Sequence, residues 1–243
     1  SSLTIFFLYF LEEYSWLRNL PQLWDILRWS GIILIVIASL LLSFQTQIRR
    51  VLAYFYLWEM GYALLSIGLA QQGGMSYLQI IFIPRILGYA GLSYNIAKLE
   101  QLETDFDGHI DQLSGLFHRY PIICITLITS LLSLTGMPIL ASFPAKRNII
   151  NLLPWSGYGM ETWLSLGFLG ILMFTFTLIH KLISPPKTEK TIPLLIVTGE
   201  DIKSIIFNTI LIFLFLLAGT FPSLFTQVFK DILAPFSNIF LLN

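Results

Sequence analysis

An all-α, polytopic bundle of transmembrane helices is the fold class this sequence predicts, and three observations predict it. Hydrophobic residues make up 56 % of the 243 positions and charged residues only 12 %, about half the charge of an ordinary soluble domain. Mean hydropathy is +0.76. Apolar runs close to the length of a bilayer crossing recur at 31–47, 51–70, 75–97, 162–183 and 205–225, and about 20 apolar residues are needed to cross as a helix.

The same composition excludes several function classes. Lys plus Arg and Asp plus Glu number 14 each, so no charge excess points to nucleic acid or to an acidic partner. The single cysteine, Cys124, lies in an apolar run; it has no internal disulfide partner and reads as a small buried residue. His109, His118 and His180 show no metal-ligand spacing, and there is no flavin or nucleotide motif, so no cofactor bound by this chain is expected. The start lacks the basic segment of a secretory signal. It opens on Ser-Ser without an initiator Met, which reads as a processed or truncated start.

Taken in order, 2–11 is apolar but too short for a crossing and reads as the tail of a helix. Glu12 to Trp29 is a polar and aromatic connector whose Trp16, Trp24 and Trp29 suit the interface level, where indole rings collect. The first clear crossing starts at Gly31, and Arg49 and Arg50 precede the second. Gln71 to Gly74 is a turn. The third crossing is expected to be interrupted at Pro84–Arg85. Lys98 to Tyr120 is polar, with Glu100, Glu103, Asp105, Asp107 and Asp111. Pro154 to Met160 and Pro185 to Lys203 are loops, the latter with Lys187 and Lys190. The final run leaves through Gly219-Thr-Phe-Pro222.

The segment 121–153 is the element of most interest. Its apolar run stops at Thr135-Gly136-Met137-Pro138 and meets Pro144 before Lys146 and Arg147. Proline lacks the N–H and clashes with the preceding turn, so Gly136, Pro138 and Pro144 mark a helix break. Either two helices meet in a hairpin there, with Lys146 and Arg147 at the membrane edge, or one crossing is discontinuous. Loop charges favour the single crossing. It puts Arg49, Arg50, Lys98, Arg119 and the lysines of 185–203 on one side and leaves the other loops without Lys or Arg, as the positive-inside rule requires.

Three charges fall at membrane depth: Glu59, Arg85 and Lys146. Each facing lipid would cost roughly 3 kcal/mol, so each should face protein or water. His180 and Lys181 stand near a helix end, where snorkelling accounts for them. Glu59 and Arg85 fit a mutual ion pair between adjacent helices or a part in proton movement. Lys146, beside freed backbone groups, is a candidate ion site or an edge marker.

Three blocks together resemble the antiporter-like membrane subunits of respiratory complex I, the proton-translocating NADH:quinone oxidoreductase. Gln47-Ile-Arg-Arg-Val-Leu-Ala-Tyr54 with Met60-Gly-Tyr62 is similar to the family's N-[IL]-K-R-[LM]-L-A-Y…H-[ML]-G-Y. Leu132-Ser-Leu-Thr-Gly-Met-Pro-Ile-Leu-Ala-Ser-Phe-Pro-Ala-Lys146 resembles L-S-L-A-G-[IL]-P-P-L-A-G-F-x-G-K, and Gly219-Thr-Phe-Pro222 resembles the G-x-[FY]-P of the last helix. The N-type, subunit 2 in mitochondria, is most similar. Glu59, where the family usually has histidine or another polar residue, Pro144-Ala145 and Arg147 depart from the pattern.

The resemblance implies a partial subunit: 1–30 a partial helix and connector, 31–183 one five-helix antiporter-like repeat containing the broken helix 121–153, and 184–243 a loop and terminal helix. It implies a proton half-channel with Lys146 as the switching charge, and Glu59 and Arg85 as its neighbours. NADH and quinone would be handled elsewhere in the complex. The expected partners are lipid and other membrane subunits, including one with the missing first repeat, and no nucleic acid. The expected location is an energy-transducing membrane: mitochondrial inner, bacterial plasma or thylakoid. A structural subunit of the membrane arm that does not pump, and a cation/proton antiporter or membrane-hydrogenase subunit, are the alternatives.

Overall fold

The computed structural model describes residues 2–103, 106–153, 159–185 and 201–222, and these are mostly helical, with no strand among them. The helices are α1 (Ser2–Glu13), α2 (Ser15–Arg18), α3 (Pro21–Ser43), α4 (Ile48–Gly68), α5 (Gly74–Leu102), α6 (Leu116–Arg119), α7 (Pro121–Thr135), α8 (Phe143–Asn151), α9 (Met160–Ile183) and α10 (Ile202–Thr220). Among the described residues, 5 helices are long and apolar enough to cross a membrane: α3, α4, α5, α9 and α10. Asp105, Lys187, Lys190 and the stretches 154–158 and 223–225 lie outside the described residues.

Two boundaries differ from the sequence reading. Helix α3 starts at Pro21, ten residues before Gly31, so most of the expected connector is helix. Pro21 occupies the first turn, where its missing N–H is no loss. Asp25 accepts a hydrogen bond from Arg28 one turn on at 2.5 Å, and buried Trp24 donates its indole N–H to the Arg18 carbonyl at 3.1 Å. Helix α5 runs unbroken through Pro84. A proline there removes one backbone bond, while the buried Ile81, Phe82 and Ile83 keep the preceding turn packed.

Side-chain pairs show which helix ends lie together. Arg49 meets Glu100 at 2.8 Å, Arg119 meets Glu103 at 2.8 Å, Lys181 meets Asp111 at 2.6 Å and Lys98 meets Asp201 at 2.7 Å. An antiparallel bridge joins Gln47 to His109. These exposed or half-buried pairs contribute little stability, but they bring the start of α4, the ends of α5 and α9 and the start of α10 to one charged end. Helix α7 leaves from that end, just after Arg119. Helix α9 returns to it at Lys181, so α9 begins at the opposite end. Between Pro121 and Asn151 the chain forms two helical pieces, 15 and 9 residues long, neither of which reaches a full crossing alone.

The non-helical stretch 136–142 between them is held by specific geometry. Gly136 has φ +90° and caps α7, a left-handed conformation that glycine adopts without steric cost. Ile139 has φ +74°, which a β-branched residue adopts only against its preference. The C-terminal part of α10 lies against this stretch: a Cβ built on Gly219 would stand 2.1 Å from the Ile139 carbonyl oxygen. Leu140 and Ala141 pack with Leu211, Phe215 and Ala218 of α10. Because the Ile139 side chain is itself exposed, Ile139→Gly loses little packing. We expect it to stabilise the chain by about 1 kcal/mol, the positive-φ relief less the added chain entropy. A raised midpoint of thermal unfolding in detergent is the check; a lowered one would show that Ile139 contributes through contacts.

Candidate functional site

Glu59 of α4, Arg85 of α5 and Lys146 of α8 converge in the interior of the bundle. Their exposures are 0 %, 3 % and 3 %, so water is largely excluded and each charge needs a partner in the protein. The Lys146 ammonium donates to Glu59 Oε1 at 2.6 Å. Arg85 donates from Nη2 to the Glu59 backbone carbonyl at 2.5 Å, and its Nε stands 3.7 Å from Glu59 Oε2. That last contact is too long for a hydrogen bond, and both atoms lack another partner. The carboxylate is thus shared unequally, tightly with Lys146 and loosely with the Arg85 guanidinium.

The break in the helix accounts for the position of Lys146. The last carbonyls of α7 have no N–H partner within the helix, and they carry the negative end of its dipole. Lys146 lies in the first turns of α8 and reaches back across the break to donate to the Leu134 carbonyl. Gly136 makes room: a Cβ there would lie 2.9 Å from Lys146 Cδ. Pro144 stands in the first turn of α8, where it starts a helix and leaves the backbone bonds intact. Pro138 lies within the non-helical stretch.

The ammonium also lies over two aromatic rings, 4.7 Å from the centroid of Tyr62 and 5.6 Å from that of Trp58. Cation–π attraction of about 2 kcal/mol is reached in such desolvated settings. Sequence reasoning did not assign Tyr62 or Trp58 to the site, although Tyr62 belongs to the Met60-Gly-Tyr62 block; Trp58 and Tyr62 are one helical turn apart, a signal that points to a shared face. The Leu134 carbonyl carries no side-chain signal.

A cavity of 170 Å³ borders Lys146 and is lined by Tyr62, Thr135, Gly136, Arg147, Asn151 and Phe168, among others. With a liquid share of about 30 Å³ per molecule, it has room for several waters, and Lys146, Arg147, Asn151 and Thr135 offer polar partners. Arg147 is exposed and lies over the Phe143 ring. Among the described residues no group of three or more His, Cys, Asp or Glu could hold a metal ion.

The profile of the NADH:quinone oxidoreductase/Mrp antiporter transmembrane family matches residues 3–177. The chain belongs to this family. The NADH-quinone oxidoreductase subunit N of Moorella thermoacetica is 27 % identical over 208 residues, covering 81 % of this chain and 40 % of the relative. The chloroplastic NAD(P)H-quinone oxidoreductase subunit 5 of Chaetosphaeridium globosum is 29 % identical over 167 residues, covering 65 % of this chain and 25 % of the relative. In three dimensions the fold is similar to a chain of respiratory complex I from Thermus thermophilus with bound NADH, at a TM-score of 0.72 and 17 % identity, over 90 % of this chain and 45 % of that one. The chain therefore spans less than half the length of these relatives. It is an antiporter-like membrane protein of the complex I and Mrp type, built of transmembrane helices.

Proposed function

We propose that this chain supplies a proton half-channel to the membrane arm of a redox-driven, proton-translocating complex, with Lys146 as the group that takes up and releases the proton. The observation that carries the proposal is the charge count at the buried site, two cations to one carboxylate. Arginine does not lose its proton in proteins. Releasing the proton from Lys146 leaves a neutral Glu59–Arg85 pair, and taking it up restores one excess positive charge. A charge approaching from a neighbouring module shifts that balance, because electrostatic effects are strong where water is scarce.

Glu59 holds the ammonium in one state and swings its weight to Arg85 in the other, the present 3.7 Å separation from Arg85 Nε closing to hydrogen-bond length. The Leu134 carbonyl and the Tyr62 ring hold the lysine in place, and the adjoining cavity is the route for water. Electron transfer, NADH and quinone belong to other subunits in this reading. Membership of a larger assembly in an energy-transducing membrane is supported by the relatives, one named as a subunit of NADH-quinone oxidoreductase and one a chain of respiratory complex I.

A static brace is the rival reading, favoured by the 3 % exposure of Lys146. A cation/proton antiporter role is a third, since the family spans Mrp antiporters; the chains that co-purify with this one separate it from the first. Lys146→Ala separates the first two. It leaves the Glu59–Arg85 pair intact, so the complex should assemble, while protons translocated per electron in membrane vesicles should fall. Unchanged stoichiometry would overturn the proposal in favour of the brace.

A further inference from the structure

Between the Lys146 site and the charged end of the bundle, three buried side-chain oxygens have no hydrogen-bond partner: Ser133 Oγ, Asn95 Oδ1 and Asn208 Oδ1. All three residues are 0 % exposed. The Asn95 amide N–H donates to the Gly91 carbonyl at 2.8 Å, and that of Asn208 donates to Ser204 Oγ at 3.4 Å. Their carbonyl oxygens remain as acceptors in an apolar helix interface, where an unpaired polar group is costly.

Helix register puts these groups in one seam. A Cβ on Gly88 would lie 2.6 Å from Leu134 Cγ, and one on Gly91 would lie 2.2 Å from Ser130 Oγ and 2.6 Å from Leu211 Cδ2. Further on, the Tyr94 and Phe207 rings are 4.4 Å apart, and Lys98 meets Asp201 at 2.7 Å. These pins run α5 antiparallel to both α7 and α10. Ser133 therefore stands at the inner level, beside the residue whose carbonyl holds Lys146. Ser130 follows at the level of Gly91. Asn95, Asn208 and Ser204 lie between that level and the Lys98–Asp201 pair. The seam contains both donors and acceptors, and among the described residues named here no carboxylate or cation stands between the site and its charged mouth.

We infer that this seam, formed by Ser133, Ser130, Asn95, Asn208 and Ser204 between α5, α7 and α10, is a second water path, connecting the Lys146 site to the charged end. It rests on the proton reading above, and it gives α10 a part in the path. Water donates to the three orphan oxygens and accepts from the next water in the file. In proton transfer each water takes one proton and passes one on, so the file returns to its starting state with nothing oxidised or reduced. The asparagines hold the file by accepting hydrogen bonds and do not change charge.

The test uses the whole complex in membrane vesicles. Asn95→Cys and Asn208→Cys are treated with a small, water-soluble, membrane-impermeant methanethiosulfonate, with the parent chain and its buried Cys124 as background. The inference expects labelling from the side of Lys98 and Asp201. It also expects Asn208→Leu to lower protons per electron towards the Lys146→Ala value, with Asn208→Ser retaining most of the wild-type stoichiometry. No labelling above background, with wild-type pumping by Asn208→Leu, would overturn it. Labelling does not depend on pumping. Labelled cysteines with a normally pumping Lys146→Ala would sink the proton role of Lys146 and leave the wet seam standing, whereas unlabelled cysteines with an impaired Lys146→Ala would do the reverse.

Discussion

Glu59→Gln is expected to destabilise the chain by about 3–5 kcal/mol, the usual result of leaving a buried charge without its partner. Here it orphans two. Lys146 and Arg85 both face the Glu59 carboxylate, within 2.6 Å and 3.7 Å, and the neutral amide leaves two buried cations sharing a site without an anion. The single removals of a cation are milder. Lys146→Met leaves the Arg85–Glu59 pair, and Arg85→Met leaves the shorter Lys146–Glu59 pair. The structure thus predicts an asymmetry that a simple Glu59–Arg85 pair would not. The measurement is the amount of chain retained in the assembled membrane complex, together with its heat-induced loss in detergent. Equal losses for the three variants would contradict the shared carboxylate. Replacing all three by Gln should recover much of the Glu59→Gln loss, because no buried charge is then left alone.

Gly219→Ala is expected to have the second largest effect. The new methyl would lie 2.1 Å from the Ile139 carbonyl oxygen and 2.7 Å from the Leu140 carbonyl carbon. These are backbone atoms and cannot swing aside as a side chain can. Either α10 lifts from the break or the segment 136–142 shifts with it. Overpacking of this kind costs about 1–3 kcal/mol, and a shift at the break also moves Lys146, whose ammonium is tied to the Leu134 carbonyl. Both the detergent stability of the complex and its protons per electron should therefore fall. Wild-type values for both would show that α10 does not brace the break.

The legible parts of the fold were those written in hydropathy. Long apolar runs mark α4, α9 and the start of α10 to within a few residues, because burial in lipid acts on composition. The start of α3 was hidden by Asp25, Arg28 and two tryptophans, which look like a connector in sequence. They become helical through the Asp25–Arg28 pair and the burial of Trp24. Continuity through Pro84 was hidden for a similar reason: packing of the buried Ile81, Phe82 and Ile83 offsets one lost backbone bond. At the site, the depth rule singled out Glu59, Arg85 and Lys146 as charges needing partners. It did not reveal that Lys146 is the nearer partner of Glu59, since they are 87 residues apart and only the fold joins them. The Leu134 carbonyl and the α10 contact at Ile139 are backbone features, which side-chain chemistry in a sequence does not encode.

Lys146→Arg separates a lysine that exchanges its proton, as proposed here, from one that serves only as a fixed positive charge in the cluster. A guanidinium at position 146 keeps the charge and can bond Glu59, but it does not give up its proton. The measurement is protons translocated per electron in vesicles holding the assembled variant complex. Assembly should be normal and the ratio lowered, close to that of Lys146→Ala. A wild-type ratio in Lys146→Arg would contradict proton exchange, because a fixed charge would then suffice.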